Sequence, residues 1–310
     1  MATTAVTFDR FGDVADLSLR TVETDLLDEH QVRIGIAVAG LNPVDWQVVE
    51  SETLAAAFGI SVPAGFGNDF AGVIVETGRS VSRWNVGDRV FGGARGAAVA
   101  TSVVLDEKHR SLHRTPDGVD DLTAGVIDIA GRTASAVEAA LAVREGETVL
   151  VAAAAGGVGS ILTQLLVRAG ARVIGTGSAA SAEFIRSLGA EPVEYGPDLA
   201  RQVRVAAVGP IAAAADLHGV ETASTALELG VPAGRVVTIE AESPPAGVLP
   251  VNGSDARPGA LTRLLDLVAE GGLTVPIAAV YDLDHFSEAV AHQRSRHARG
   301  KIAITTNTAS

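Results

Sequence analysis

The 310-residue sequence contains no cysteine, which excludes disulfides, cysteine-ligated zinc, thiol nucleophiles and iron–sulfur clusters. Lysine is almost as rare, since Lys108 and Lys301 are the only two. Basic residues number 24 against 37 acidic ones, so the formal net charge is −13. Because nucleic acids and anionic lipids attract clustered Lys and Arg, this balance predicts that the chain binds neither nucleic acid nor a membrane.

A long apolar run able to cross a membrane is also lacking. Residues 148–167 carry no charge over about the length that a bilayer requires, but glycines at 156, 157 and 159 interrupt them. We interpret this segment as a buried strand, a tight turn and a buried helix. Residues 1–9 lack the basic start and apolar stretch of a signal peptide, so we expect a cytoplasmic protein.

The pattern of apolar residues changes along the chain. Strands are predicted at 31–39, 72–77 and 88–91, with no helix before Asp121. From there, predicted helices alternate with strands as in a doubly wound parallel sheet: helices at 122–141, 158–168, 181–188 and 221–229, strands at 147–153, 172–175, 192–195, 212–216 and 235–240. The tail predicts helices at 260–270 and 281–294, the latter capped by Asp282 or Asp284, and a strand at 301–305. We expect the tail to return to the N-terminal β-rich part.

The strongest chemical signal is a run of small residues between a predicted strand and a predicted helix. It matches G-x-G-x-x-G, with Ala154 at the first glycine position and Gly156 and Gly159 at the others. Such a turn brings the backbone and the helix N-terminus close to a dinucleotide diphosphate. The predicted cofactor contacts are Ala155, Gly156, Gly157, Val158 and Gly159. The alternative is a tight turn that binds nothing.

The end of the next predicted strand bears on which dinucleotide binds. NAD-binding units usually place an acid there to hold the ribose hydroxyls. Here the chain has Thr176 and Ser178, with no acid until Glu183, which favours NADPH over NADH. The nearest base is Arg186, which is also interpretable as a solvated helix residue.

Several stretches, in order, resemble the zinc-independent quinone oxidoreductases (zeta-crystallin-like) of the medium-chain dehydrogenase/reductase superfamily. The stretches are AGLNPVD at 39–45, GNDFAGV at 67–73, GDRV at 87–90, AGGVG at 155–159, SLGA at 187–190 and GKI at 300–302. The similarity covers nearly the whole chain.

This resemblance implies an α/β fold with a GroES-like β domain and a Rossmann doubly wound parallel sheet. The GroES-like substrate domain is expected at 1–122 and 259–310, and the Rossmann dinucleotide-binding domain at 123–258. It also implies a cofactor in the cleft, hydride transfer to a quinone or an activated C=C bond, and a homodimer paired near 236–239. Cofactor contacts are expected also at Thr176, Ser178, Tyr195 and Ile239.

Zinc members of the superfamily place their ligands where this chain has Asn42 and Asn68. Neutral amides are poor zinc ligands, so we expect no zinc and no alcohol oxidation. A conjugated acceptor needs less help, because hydride addition puts charge on a delocalised oxygen.

The sequence also departs from the family, which leaves the substrate open. Trp46 stands where a tyrosine is usual, and Asp128 and Arg132 replace mostly apolar residues. The predicted catalytic residues are Asn42 and Thr133, and the predicted substrate-binding residues are Trp46, Arg95, Asp128 and Arg132.

Structural interpretations stand beside these roles. Asn42 is otherwise a turn residue, Thr133 a helix hydroxyl bonded to its own backbone, and Arg132 the partner of a carboxylate. Asp45 is expected to cap a helical turn and Asp69 to be a buried structural carboxylate.

The sequence thus predicts an NADPH-dependent reductase of a small-molecule quinone or α,β-unsaturated carbonyl. Two alternatives stay open: a specialised biosynthetic reductase of a polyketide-like aromatic, and a non-catalytic NADPH-binding protein.

Overall fold

The structure, a computed structural model, describes residues 2–24, 26–241 and 243–306. Contacts within the chain divide it into two compact units. The first comprises residues 1–129, 265–269 and 277–310, and the second comprises residues 130–264 and 270–276. The domain boundaries expected at 122 and 259 stay a prediction.

The first unit is rich in strands, as its alternating sequence predicts, and the strands up to residue 114 pair antiparallel. Its strands up to residue 114 are β1 (Ala2–Phe8), β2 (Ser18–Glu23), β3 (Gln31–Leu41), β4 (Ala64–Gly65), β5 (Asp69–Thr77), β6 (Arg89–Gly93), β7 (Ser102–Asp106) and β8 (Leu112–Arg114). The order in the small sheet is β2-β1-β4. In the large sheet β3 pairs with β5 and with β7, and β6 lies between β5 and β8. Apolar side chains of β3, β5 and β6 are buried in its core.

Two helices correct the expectation that no helix precedes Asp121. They are α1 (Pro43–Glu50) and α2 (Glu52–Ala57). Asn42 is the N-cap of α1 and Pro43 fixes the backbone of its first turn. The helices are short, so their apolar pattern does not repeat often enough to be found in the sequence.

The predicted helix 122–141 is two helices, α3 (Asp121–Ala124) and α4 (Asp128–Leu141). Gly125 is the C-cap of α3. A Cβ at Gly125 would lie 2.8 Å from the Val38 side chain, so the chain passes close to β3 at the break.

The second unit confirms the predicted doubly wound parallel sheet. Its elements after α4 are β9 (Thr148–Val151), α5 (Gly157–Arg168), β10 (Arg172–Gly177), α6 (Ala182–Ser187), β11 (Glu191–Glu194), α7 (Leu199–Ala206), β12 (Ile211–Asp216), α8 (Glu221–Glu228), β13 (Val236–Thr238), β14 (Leu249–Pro250) and the first half of α9 (Ala260–Ala269), whose residues 265–269 belong to the first unit. The strand order is β11-β10-β9-β12-β13-β14, and every pair is parallel. All four side chains of β9 are buried, which explains its continuous apolar run.

The uncharged segment 148–167 forms β9, a turn and α5, as predicted. Among the described residues, no helix combines the length and the apolar character that crossing a bilayer requires.

The tail returns to the first unit, as expected. Its elements are β15 (Ile277–Asp282), α10 (Phe286–Arg294) and β16 (Lys301–Thr305). β16 pairs antiparallel with β3 and parallel with β15. The helix predicted from Tyr281 is wrong at its start, because Tyr281 pairs with Ile304 in β15 and the helix begins at Phe286. Asp282 precedes a 3-10 turn without capping it through its side chain.

Candidate functional site

The glycine-containing turn lies between β9 and α5 and is held by the neighbouring strand β10. Ala153 adopts a left-handed backbone with φ of 46°. Its N–H donates to Thr176 Oγ1 at 3.1 Å, and the Ala154 N–H donates to the Thr176 carbonyl at 3.0 Å. The left-handed position is therefore one residue before the predicted first glycine position, and it is held by hydrogen bonds.

The two glycines aligned with the motif play different parts. A Cβ at Gly159 would lie 2.2 Å from the Ala153 carbonyl oxygen, so only glycine lets α5 pack this close to the turn. A Cβ at Gly156 would meet only that oxygen, at 3.3 Å. Gly156 is the N-cap of α5 and supplies no side-chain cap.

The first turn of α5 is thus suited to hold a dinucleotide diphosphate. The first N–H groups of a helix have no partner within the helix, and the positive end of the helix dipole favours anions. The space in front of Gly156 lets the phosphates approach the backbone. The residues present fit a dinucleotide.

The ends of β10 and β11 place three predicted cofactor residues near one another in the sheet. Thr176 is 3% exposed, and its hydroxyl is occupied by the turn. Ser178 shares a hydrogen bond of 3.1 Å with Ser181 through their Oγ atoms. Tyr195 follows the pairing of Gly177 with Glu194 and is 58% exposed.

The ends of β12 and β13 carry groups that the sequence interpretation missed. Asp216 is fully buried and accepts hydrogen bonds from the main-chain N–H groups of His218 and Ala223. Burial raises the pKa of Asp216, and these hydrogen bonds partly offset the increase. His218 Nδ1 lies 2.9 Å from Glu240 Oε2. Ile239, a predicted cofactor contact, donates its N–H to the Asp216 carbonyl at 3.1 Å. The sequence did carry a signal for this pair, because His218 closely follows β12 and Glu240 closely follows β13.

A buried polar cluster lies in the first unit where β3, β5 and β16 meet. We call it the lysine cluster; its members are Asn42, Asp45, Asn68, Asp69 and Lys301, each at most 4% exposed. Lys301 Nζ donates to the Leu41 carbonyl at 2.9 Å and to Asn42 Oδ1, and it lies 3.6 Å from Asp69 Oδ2. An ammonium group only donates, so the Asn42 amide oxygen must face Lys301.

Asp45 has the capping role expected of it. Its Oδ2 accepts from the Asn42 N–H at 2.7 Å, and its Oδ1 accepts from Asn68 Nδ2. The sequence predicted Asp45 and Asp69 as structural carboxylates but missed Lys301 as their partner. A single lysine at the start of an otherwise apolar predicted strand was the signal.

Burial dominates the ionisation of both carboxyl groups. Burial raises the pKa of Asp45 to about 6, against hydrogen bonds from Asn42 and Asn68 that lower it. Burial also raises the pKa of Asp69 to about 7; Lys301 lowers it, while Asp128 and Asp45 raise it. Asp69 therefore holds its proton to near-neutral pH.

Part of the hydrogen-bonding capacity of the lysine cluster is unused. Among the described residues, Asn42 Nδ2, Asn68 Oδ1 and Asp69 Oδ2 are buried side-chain atoms without a hydrogen-bond partner. A cavity of about 10 Å³, enough for one water molecule, is lined by Asp45 and Asn68 among others.

Asp128 lies beside the cluster at the start of α4. It accepts a hydrogen bond of 2.6 Å from Ser111 Oγ, and it is 5% exposed. A Cβ at Gly93 would lie 2.7 Å from its Oδ2, so this carboxylate is closely packed.

The other predicted substrate-binding residues in the first unit, Trp46 and Arg95, have different neighbours. Trp46 donates its Nε1–H to Gln293 of α10, and the guanidinium groups of Arg294 and Arg296 lie 5.5 and 5.7 Å from its ring centroid. Arg95 is exposed and lies 5.0 Å from the centroid of the Phe58 ring.

The two predicted residues on α4 in the second unit differ in exposure. Thr133 is 8% exposed, whereas Arg132 is half-buried. A Cβ at Gly253 would lie 3.3 Å from Thr133 Oγ1, so the turn at 253–255 passes close to this hydroxyl.

The residues at the zinc-ligand positions do not fit a zinc ion. The Asn42 oxygen already accepts from an ammonium group, and a divalent cation beside that positive charge would be repelled. Within the ranges that the structure describes, no group of three or more His, Cys, Asp or Glu side chains could hold a metal ion.

Two family models match separate parts of the chain. The alcohol dehydrogenase GroES-like domain matches residues 28–116, and the zinc-binding dehydrogenase domain matches residues 188–304.

Individual relatives cover more of the chain. A quinone oxidoreductase of Pseudomonas aeruginosa is 32% identical over 253 residues, covering 78% of this chain and 75% of the relative. The chloroplastic NADPH-dependent alkenal/one oxidoreductase of Arabidopsis thaliana is 26% identical over 96% of this chain and 78% of the relative. A 160-residue segment, 51% of this chain, is 36% identical to erythronolide synthase EryA2 of Saccharopolyspora erythraea, of which it spans only 4%.

The fold has a close counterpart in the solved quinone oxidoreductase of Coxiella burnetii. The TM-score is 0.85 at 25% identity, covering 99% of this chain and all of the other. Together with the glycine turn and the two matched domains, these similarities show that the chain belongs to the quinone oxidoreductase-like group of the medium-chain dehydrogenase/reductase superfamily, whose oxidoreductases use a nicotinamide cofactor.

Proposed function

We propose that the protein is an NADPH-dependent, zinc-independent reductase that transfers a hydride to a quinone or an α,β-unsaturated carbonyl compound. The observation that carries this proposal is the turn before α5, where Gly156 leaves the helix start uncapped and open. The quinone oxidoreductase and alkenal/one oxidoreductase relatives support the choice of acceptor.

The end of β10 supports NADPH over NADH. No carboxylate follows β10 directly, so none would repel a 2′-phosphate there. The hydroxyls of Ser178 and Ser181, 3.1 Å apart, and the exposed Tyr195 offer uncharged donors to that phosphate.

Lys301 supports a metal-free reaction. Its ammonium group occupies the position beside Asn42 where a metal would need a ligand and a negative environment. A quinone or enone can be reduced without a Lewis acid, because the incoming electron pair is delocalised onto the carbonyl oxygen.

The chain's contribution is orientation and the exclusion of water. A reduced nicotinamide, when bound, supplies the hydride. The first turn of α5 holds the diphosphate, and Thr133 is the proposed contact to the nicotinamide end. Lys301 holds the Asn42 oxygen, so Asn42, a proposed catalytic residue, has only its Nδ2–H groups to donate to a ligand. Trp46, Arg95, Asp128 and Arg132 stay proposed substrate contacts.

Gly156→Asp tests the cofactor site. An aspartate is a favourable N-cap, so the free energy of unfolding is expected to stay the same or rise by about 1 kcal/mol. The added negative charge would repel the diphosphate and abolish NADPH binding, measured by calorimetry. Gly156→Asn is the matched control, which adds similar bulk without the charge and is expected to retain more of the affinity.

Activity is measured as NADPH oxidation with a panel of quinones and enones, with and without a metal chelator. We expect turnover that the chelator does not change and that Gly156→Asp loses. A wild-type protein that binds neither NADPH nor NADH, or an unchanged affinity in Gly156→Asp, would contradict the proposal.

The similarity to part of erythronolide synthase favours a second candidate, a reductase of one biosynthetic intermediate by the same chemistry. NADPH oxidation with a single conjugated substrate and none across the general panel would indicate it. A homodimer and a cytoplasmic location stay predictions.

A further inference from the structure

The parallel sheet of the second unit brings an acid and a histidine together at the carboxyl ends of two neighbouring strands. Strands β12 and β13 are neighbours, with Asp216 paired with Thr238 at their carboxyl ends. The chain leaves β12 through His218 and leaves β13 through Glu240. In open α/β sheets, ligands bind outside the carboxyl ends of the strands.

The two side chains form a held but accessible pair. His218 Nδ1 lies 2.9 Å from Glu240 Oε2, and Asp216 fixes the loop by accepting the His218 main-chain N–H at 3.2 Å. The Glu240 side chain is 29% exposed and that of His218 56% exposed. The carboxylate is therefore oriented by a neighbour without being closed off from a ligand.

The pair lies on the other side of the glycine turn from Ser178. The turn follows β9, and β9 lies between β10, which carries Ser178, and β12. The Ala152 N–H at the start of the turn donates to the Ala215 carbonyl of β12 at 2.8 Å. Since adjacent strands are about 4.8 Å apart, β13 lies roughly 10 Å from β9.

A dinucleotide has two nucleosides that extend in opposite directions from its diphosphate. With the diphosphate at the turn and the adenosine over β10, the nicotinamide riboside would lie over β12 and β13. A carboxylate only accepts hydrogen bonds, and a ribose presents two adjacent hydroxyl donors.

We propose that Glu240, held by His218, binds the hydroxyls of the nicotinamide ribose. This inference rests on the proposed function. The chemistry is that of the acid which holds the adenosine ribose in many NAD-binding units, here placed at the opposite half of the cofactor. Glu240 thereby holds the nicotinamide half of the cofactor in place independently of the diphosphate.

Glu240→Gln is tested by calorimetry with three probes: NADPH, reduced nicotinamide mononucleotide and 2′,5′-ADP. We expect about tenfold weaker binding of NADPH and of the mononucleotide, since hydrogen bonds to charged groups are the stronger ones. Binding of 2′,5′-ADP, which has no nicotinamide ribose, is expected to be unchanged. His218→Asn is expected to weaken the same two ligands by a smaller factor.

The matched control is Glu228→Gln on α8, whose carboxylate pairs with Arg204 on the surface. It is expected to leave all three affinities unchanged. Glu240→Asp is a second variant that keeps the charge and shortens the side chain; it too is expected to weaken the two nicotinamide ligands.

Two results would overturn the inference alone: unchanged affinity for NADPH and the mononucleotide in Glu240→Gln, or an equal loss for 2′,5′-ADP, which indicates a structural role. A wild-type protein that binds none of the three probes overturns both this inference and the proposed function.

Discussion

Lys301 is the cation of the lysine cluster, which holds the buried carboxyl groups of Asp45 and Asp69, and we expect its removal to lower stability. Lys301→Met leaves Asp69 and the Asn42 oxygen without their charged partner. Above the folded-state pKa of Asp69, about 7, this carboxyl group is charged, and breaking a buried ion pair from one side typically costs about 3–5 kcal/mol. Urea unfolding is therefore expected to show a loss of that size.

The chain offers a matched control for this experiment. Lys108, the only other lysine, is exposed, and Lys108→Met is expected to change stability by less than about 0.5 kcal/mol. Adding Asp69→Asn to Lys301→Met should restore part of the loss, because the neutral amide needs no counter-charge. An equal free energy of unfolding in the two lysine variants would show that Lys301 does not stabilise the fold through its buried charge.

Individual residues could be assigned from the sequence where the signal is local. The glycine turn has its signal within six residues, and the structure places Gly156 and Gly159 at the start of α5. Lys301 lies 259 residues from Asn42, and their contact depends on β16 returning beside β3. Glu240 and His218 likewise meet only because β12 and β13 are adjacent.

At the scale of elements, the contact between α5 and its preceding turn decides how the helix packs on the sheet. Gly159→Ala places a methyl group 2.2 Å from the Ala153 carbonyl oxygen, a backbone atom that cannot move aside alone. Overpacking costs about 1–3 kcal/mol, and an approach this close to a backbone atom belongs at the upper end, above the gain of about 1 kcal/mol from replacing a helical glycine. We expect a net loss of stability in urea unfolding.

Gly156→Ala is the comparison, because its methyl group would approach the same oxygen only to 3.3 Å. It is expected to be close to the wild type in stability. If Gly159→Ala is as stable as Gly156→Ala, then α5 does not pack so closely on the turn at Ala153 that only glycine fits.

Most elements of the alternating parallel sheet were predictable even when short, as α6 and β11 show, whereas short helices between strands of the first unit were not. Strands β3, β5 and β10 and helix α5 have enough residues for their period to show. Helices α7 (Leu199–Ala206), α1 and α2 were missed, since none is longer than eight residues and their apolar pattern hardly repeats. The start of α10 was placed too early because only a three-residue 3-10 turn separates it from strand β15.

At the scale of the whole molecule, the buried acids predict how stability depends on pH. The pKa of Asp69 is raised to about 7 and that of Asp45 to about 6, so between about pH 4 and 7 the folded state binds more protons than the unfolded state. Their contribution to stability is present at low pH and is lost as pH rises through these folded-state values. The wild type should therefore lose stability between pH 5 and pH 8 relative to Asp69→Asn.

The measurement is urea unfolding of both proteins at the two pH values, which cancels the contribution of the other acids. Asp117→Asn, a change at an exposed acid, serves as control and should follow the wild type. An identical pH dependence in the wild type and Asp69→Asn would mean that Asp69 ionises in the fold as it does in the unfolded chain.

The return of β16 to β3 has a consequence for biosynthesis. Strand β3 leaves the ribosome early, yet its neighbour on one side, β16, is made roughly 260 residues later. The parallel sheet is encoded between β3 and β16. Its strands, β9 to β14, are consecutive in the sequence, so this sheet can assemble before β16 is made. At about 5–20 residues per second, the nascent β3 edge waits on the order of ten seconds or more for its partner, a period in which chaperones would have an unpaired strand to protect.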